Sequence, residues 1–171
     1  MYRHTIARIG RSDTAYTLRV AIDSRLSKSD QMRLTAPVIV ELFNGKEVVL
    51  PAGFVTDCHS TPRLLASLLP EYDNRTNIAA VVHDYLYMHW EEFAQDQYPH
   101  DYQIIGDGPA ARWYADGIYL SLMDQFHPKG WRNRLYYAAV RVFGWYNWEK
   151  FRELNQNEKE NEERQNQDRN G

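Results

Sequence analysis

The spacing of apolar positions changes once along the chain, from alternation in the first third to helical recurrence after it. Residues 5–9 and 14–22 alternate as strands do and are separated by Gly10-Arg11-Ser12-Asp13, which predicts a hairpin. Residues 23–36 are polar and carry no strong period. Residues 37–43 and 46–50 alternate on either side of Asn44-Gly45, the pair favoured in a two-residue type I′ turn, and predict a second hairpin. Pro51-Ala52-Gly53 interrupts that ladder, and residues 54–56 add a short strand that delivers Asp57 to a loop.

The helical part begins at Thr61-Pro62, an N-cap followed by proline at the first helical position, and the spacing predicts a helix to about Leu69. A second, largely buried helix covers residues 76–92. A polar loop over residues 95–108 leads to Gly108-Pro109, which opens a third helix that His127-Pro128-Lys129-Gly130 ends near Phe126. A fourth covers residues 131–151. The expected fold class is therefore α+β: N-terminal antiparallel β-hairpins followed by a bundle of about four helices packed on the sheet. Residues 1–152 read as a single domain, and 153–171 as a polar tail, either a solvated helix or disordered.

Composition narrows the function. The chain is 43% apolar with five Trp and twelve Tyr, enough to fill two packed layers. A net charge of −3 gives no concentrated excess of Lys and Arg, so no nucleic-acid partner is expected. Cys58 is the only cysteine, which excludes an intramolecular disulfide and a thiolate metal cage. The polar N-terminus predicts no signal peptide, and no apolar run approaches the roughly 18 residues of a transmembrane segment.

The chemistry concentrates at Val81-Val82-His83-Asp84-Tyr85-Leu86-Tyr87, a His-Asp pair inside an apolar helix. Aspartate is rarely buried without a partner or a metal. Tyr87 shares the face of His83, whereas Asp84 points about 100° away. Asp116 also has apolar neighbours, with Arg112 one turn earlier as an ordinary i,i+4 partner. Alternatively, two antiparallel helices joined by the 95–108 loop bring Asp116 beside His83, where its carboxylate fixes the tautomer and leaves the other nitrogen free to accept a proton.

Asp57 ends a strand ahead of Ser60-Thr61-Pro62, a place for a functional loop residue or for one that satisfies N–H groups at a helix start. Cys58-His59 suggests a thiol and a base, but adjacent side chains in an extended loop point apart. Together Asp57, His83, Asp84 and Asp116 offer one imidazole and three carboxylates, a set suited to one divalent cation such as Ca, Mg, Mn or Zn. Ser60, Tyr87 and Arg112 are the supporting candidates. The aromatic residues between Trp131 and Trp148 read as helix core or an interface.

At Leu50-Pro51-Ala52-Gly53-Phe54-Val55-Thr56-Asp57, Ser60-Thr61-Pro62-Arg63, Ala79-Ala80-Val81-Val82-His83-Asp84-Tyr85-Leu86-Tyr87, and Arg112 with Ala115-Asp116, the sequence resembles the phage and prophage family known as domain of unknown function 1353. The resemblance implies a phage setting, either in the particle or in the host cytoplasm during infection, with other virion proteins or a cell-envelope substrate as partners. It brings no activity with it. Where the family usually has small residues after the loop aspartate, this chain has Cys58-His59.

The His83-Asp84 helix with a distant helical Asp116 is also similar to the secretory phospholipases. That likeness implies water activation by His83, orientation by Asp116 and cation binding by Asp84, although the disulfides and the glycine-rich calcium loop of those enzymes are missing here. Three functions follow as expectations: a His/Asp hydrolase, with or without a metal, acting on phospholipid or peptidoglycan; a non-enzymatic virion or assembly component with a buried His/Asp/Arg network; and an inhibitor of host defence.

Overall fold

The computed structural model describes residues 6–21, 31–57 and 73–170, apart from the side chains of Asp168 and Asn170. The predicted helix over 61–69, and Cys58, His59 and Ser60, lie outside the described residues. Six short strands precede four helices: β1 (Ala7–Ile9), β2 (Val20–Ala21), β3 (Met32–Leu34), β4 (Val38–Glu41), β5 (Glu47–Leu50), β6 (Val55–Thr56), then α1 (Asn77–Gln97), α2 (Tyr102–Ile105), α3 (Pro109–Phe126) and α4 (Trp131–Asn170). The class is α+β, as the change of period indicates.

The strands form two three-stranded sheets, ordered β1-β4-β5 and β2-β3-β6. The expected hairpin between the first two strands does not form. β1 runs parallel to β4, and β2 pairs antiparallel with β3. The connecting segment does turn, with Asp13 bonded back to Gly10, but α3 captures it: Gln125 donates to the carbonyls of both Gly10 and Asp13. Tyr16 then packs edge-on against Phe126 and accepts from the Ile78 amide, so the chain is led away from β1.

The second hairpin forms in register, Val38 opposite Leu50 and Glu41 opposite Glu47. Its turn is not type I′. Only Gly45 has positive φ (78°), and its amide bonds to Leu42, giving a three-residue loop with glycine in the left-handed position. Asn44 is instead fixed by its side chain, which donates to the hydroxyls of Tyr98 and Tyr114 and accepts from the Lys46 amide. The tip of the hairpin is thereby tied to the helices.

α1 is the centre of the core, with Ile78, Ala79, Ala80, Val81, Val82, Leu86 and Trp90 all buried. It is apolar nearly all round because β5 and β6 cover one side and α3 and α4 the other. His83 pairs with Asp116 and Trp90 packs on Tyr114, so α1 and α3 run antiparallel. Asp124 meets Asn133 and Asp116 meets Arg141, so α4 returns antiparallel to α3. α4 continues without a break for 40 residues. Residues 153–170 lie on this helix and most of them are exposed.

α1 leaves helical geometry at His89 (φ −121°, ψ 30°). The carbonyls of Tyr87 and Met88, just before that kink, accept from Arg152 at 2.5 Å and Asn155 at 2.9 Å on α4. Capture of the freed carbonyls lets the kink persist in a buried helix.

Candidate functional site

Asp116 is fully buried, 0% exposed, in the middle of α3. An isolated carboxylate there would cost several kcal/mol of desolvation, so its partners decide whether it is tolerated. Three of them meet it. His83 Nε2 lies 2.9 Å from Oδ1, the Tyr87 hydroxyl donates to the same oxygen at 2.7 Å, and Arg141 Nη1 donates to Oδ2 at 2.6 Å.

Burial pushes the Asp116 carboxyl up, but the bonds and charge from His83 and the bonds from Tyr87 and Arg141 overcome it and hold the pKa below the usual carboxylate value. An ionised Asp116 can only accept, so the proton on this side of the imidazole sits on Nε2. In the neutral form of the ring Nδ1 then carries the lone pair. It has no hydrogen-bond partner among the described residues, and the His83 side chain keeps 9% of its surface accessible.

The ring packs on two tyrosines, tilted 42° to Tyr87 at a centroid distance of 4.2 Å and 34° to Tyr119 at 4.7 Å. The Tyr87 phenol is pushed far above its ordinary pKa by burial, then by the charge and bond of Asp116, with Arg112 opposing. Tyr87 remains a neutral donor at any working pH. Its hydroxyl can reach α3 because α4 carries Gly144 where it passes: a Cβ there would stand 2.6 Å from that oxygen.

The expected Arg112–Asp116 pair along α3 does not form. Arg112 turns toward α4, where Nη1 donates to the carbonyl of Arg141 at 3.3 Å, and toward the Tyr87 phenol. The ion partner of Asp116 is Arg141, which also lies 3.7 Å above the Trp113 ring. Arg141 is not among the site residues expected from the sequence. The available signal was an arginine inside Ala138-Ala139-Val140-Arg141-Val142-Phe143, a cation in an apolar run.

The four proposed metal ligands divide into two places. His83 and Asp116 belong to the buried network. Asp84 points sideways, as its helical position dictates, and accepts from the Thr56 hydroxyl on β6. Burial, then the nearby charge of Asp57, raise its pKa well above the ordinary carboxylate value, with the Thr56 bond opposing. Asp57 therefore stands beside Asp84 at the end of β6, where the sequence placed it. No group of three or more His, Cys, Asp or Glu residues suited to a metal ion occurs among the described residues.

Fold and site together define an α+β protein with a buried, oriented imidazole at the junction of three helices. A family model described as a protein of unknown function (DUF1353) matches residues 32–140, and the chain belongs to that family. The match takes in Asp57, His83, Asp84, Tyr87, Arg112 and Asp116. No curated protein and no solved structure matches the chain.

Proposed function

We propose that the chain is a hydrolase in which His83, held by Asp116, takes a proton from water. The observation that carries this reading is the 2.9 Å contact between His83 Nε2 and a fully buried carboxylate, because it leaves Nδ1 as the basic atom of the ring. In this scheme the oxygen of the water attacks an acyl carbon as its proton passes to Nδ1. Asp116 stabilises the imidazolium, and the proton then goes to the leaving alcohol. Tyr87 and Arg141 serve as positioning residues that keep Asp116 ionised and fixed.

The substrate is a component of the cell envelope, an acyl ester of phospholipid ahead of a peptidoglycan bond, in the phage setting that the sequence resemblance implies. Asp57 and Asp84 are the residues assigned to one divalent cation, Ca, Mg, Mn or Zn. The support is that burial and the charge of Asp57 disfavour the ionised form of Asp84, a penalty that a cation between them relieves. The test is release of fatty acid from phosphatidylglycerol vesicles with and without each cation. Turnover that His83→Ala abolishes supports the reading, and absence of turnover under every condition removes it.

A second reading has its own support. Asp116 on α3 accepts three donors from two other helices, α1 through His83 and Tyr87 and α4 through Arg141, so the network also ties the bundle together. Under this reading the chain is a virion or assembly component without turnover.

A further inference from the structure

The first half of α4 presents an apolar face that no described residue covers. Trp131, Val142 and Trp145 recur on its outward side at helical spacing, with Phe143 and Tyr146 beside them, each between 54% and 62% exposed. Single exposed apolar residues are ordinary, but five large ones over about four turns of one helix form a patch. The inward side is already used, since Tyr136, Trp148 and Arg152 are buried against the body.

Charge identifies the occupant. Residues 127–148 hold Lys129, Arg132, Arg134 and Arg141 and no Asp or Glu, in a chain whose net charge is −3. Arg141 is engaged by Asp116 and Arg134 by Asp124. Lys129 and Arg132 have no ion-pair partner among the described residues, and Arg132 lies 5.4 Å over the ring of Trp131. Beyond Glu149 the character reverses: residues 153–170 carry six acidic and three basic side chains. The aromatic half of the helix is cationic and the bare half anionic.

We propose that the first half of α4 seats on a phospholipid surface bearing anionic headgroups. The patch is convex, with rings projecting from a single helix, which suits a deformable interface where tryptophan and tyrosine are favoured. Its cations draw it to negative headgroups. A second copy of the chain would bring like charges together, which disfavours self-association through this face. No helix among the described residues is long and apolar enough to cross a membrane, so α4 would lie in the plane of the interface with its aromatic stripe inserted. This goes beyond the hydrolytic reading, because seating requires no turnover.

The experiment is flotation of the full chain with phosphatidylcholine vesicles and with vesicles that also contain phosphatidylglycerol, using both the unaltered chain and His83→Ala so that lipid cleavage does not enter. Association with the anionic vesicles should be at least about tenfold stronger, weaken with added salt and shift tryptophan emission to the blue. Val142→Asp with Trp145→Asp should reduce it about tenfold or more, at unchanged helix content. Arg132→Gln, which leaves the apolar stripe whole, should narrow the difference between the two vesicle types. Equal or absent association with both would overturn the proposal. So would a dimer that the double aspartate variant dissolves in a protein that ignores vesicles.

Discussion

Gly144 and Tyr87 lie in such close contact that a methyl group at position 144 would stand 2.6 Å from the tyrosine hydroxyl. That hydroxyl cannot retreat freely, since it donates to Asp116 at 2.7 Å. In an exposed helix, Gly→Ala stabilises by about 1 kcal/mol. Here overpacking costs about 1–3 kcal/mol and should win, so Gly144→Ala is expected to lower the melting temperature. Tyr87→Phe removes the clashing oxygen, and the same Gly144→Ala change in that background should cost less or become stabilising. A thermal-melt cycle of the four proteins checks this.

Asp116 and Arg141 form a pair that neither partner tolerates losing. Asp116→Asn leaves a largely buried guanidinium without its carboxylate and should cost about 3–5 kcal/mol by denaturant unfolding. Arg112→Gln should cost much less, because Arg112 bonds a carbonyl and is not the ion partner of Asp116. Equal losses for the two would return Arg112 to the role its spacing first suggested.

Asp84 and Asp116 should have opposite effects on the pH dependence of stability. The Asp116 pKa is depressed in the fold, so its contribution is present above the unfolded value of about 3.9 and is lost as pH falls through the lower folded value. The Asp84 pKa is raised, so folding favours its protonated form, and its ionisation costs stability as pH rises from about 3.9 through the folded value. Asp84→Asn should therefore raise the melting temperature at neutral pH, since an amide oxygen still accepts from Thr56, and the gain should vanish in acid. Melts across pH in metal-free buffer measure it. A destabilising effect at neutral pH would show that the charge is compensated in the fold.

The α3 boundaries were readable from Gly108-Pro109 at its start and His127-Pro128 at its end, and the course of α1 from apolar positions that recur at the helical period. The second hairpin was readable in its strands, though its turn type depended on Asn44 being tied to Tyr98 and Tyr114, partners more than fifty residues away. Alternation in residues 14–22 marked an extended segment but not its neighbour, which Gln125 and Phe126 helped to decide. The His83–Asp116 contact followed from assuming antiparallel helices around one loop. Arg141 did not, because a local rule already offered Arg112 to Asp116, and nothing along the chain ranks a partner on α4 above one a single turn away.

The most direct measurement pairs turnover with stability for His83→Ala. Loss of the imidazole leaves Asp116 bonded to Tyr87 and Arg141, so unfolding should change by only about 1–3 kcal/mol, while hydrolysis of phosphatidylglycerol should fall about 10²–10⁴-fold. A fold that collapses with His83, or an ester turnover indifferent to it, would contradict a water-activating role and leave the pair as a structural tie.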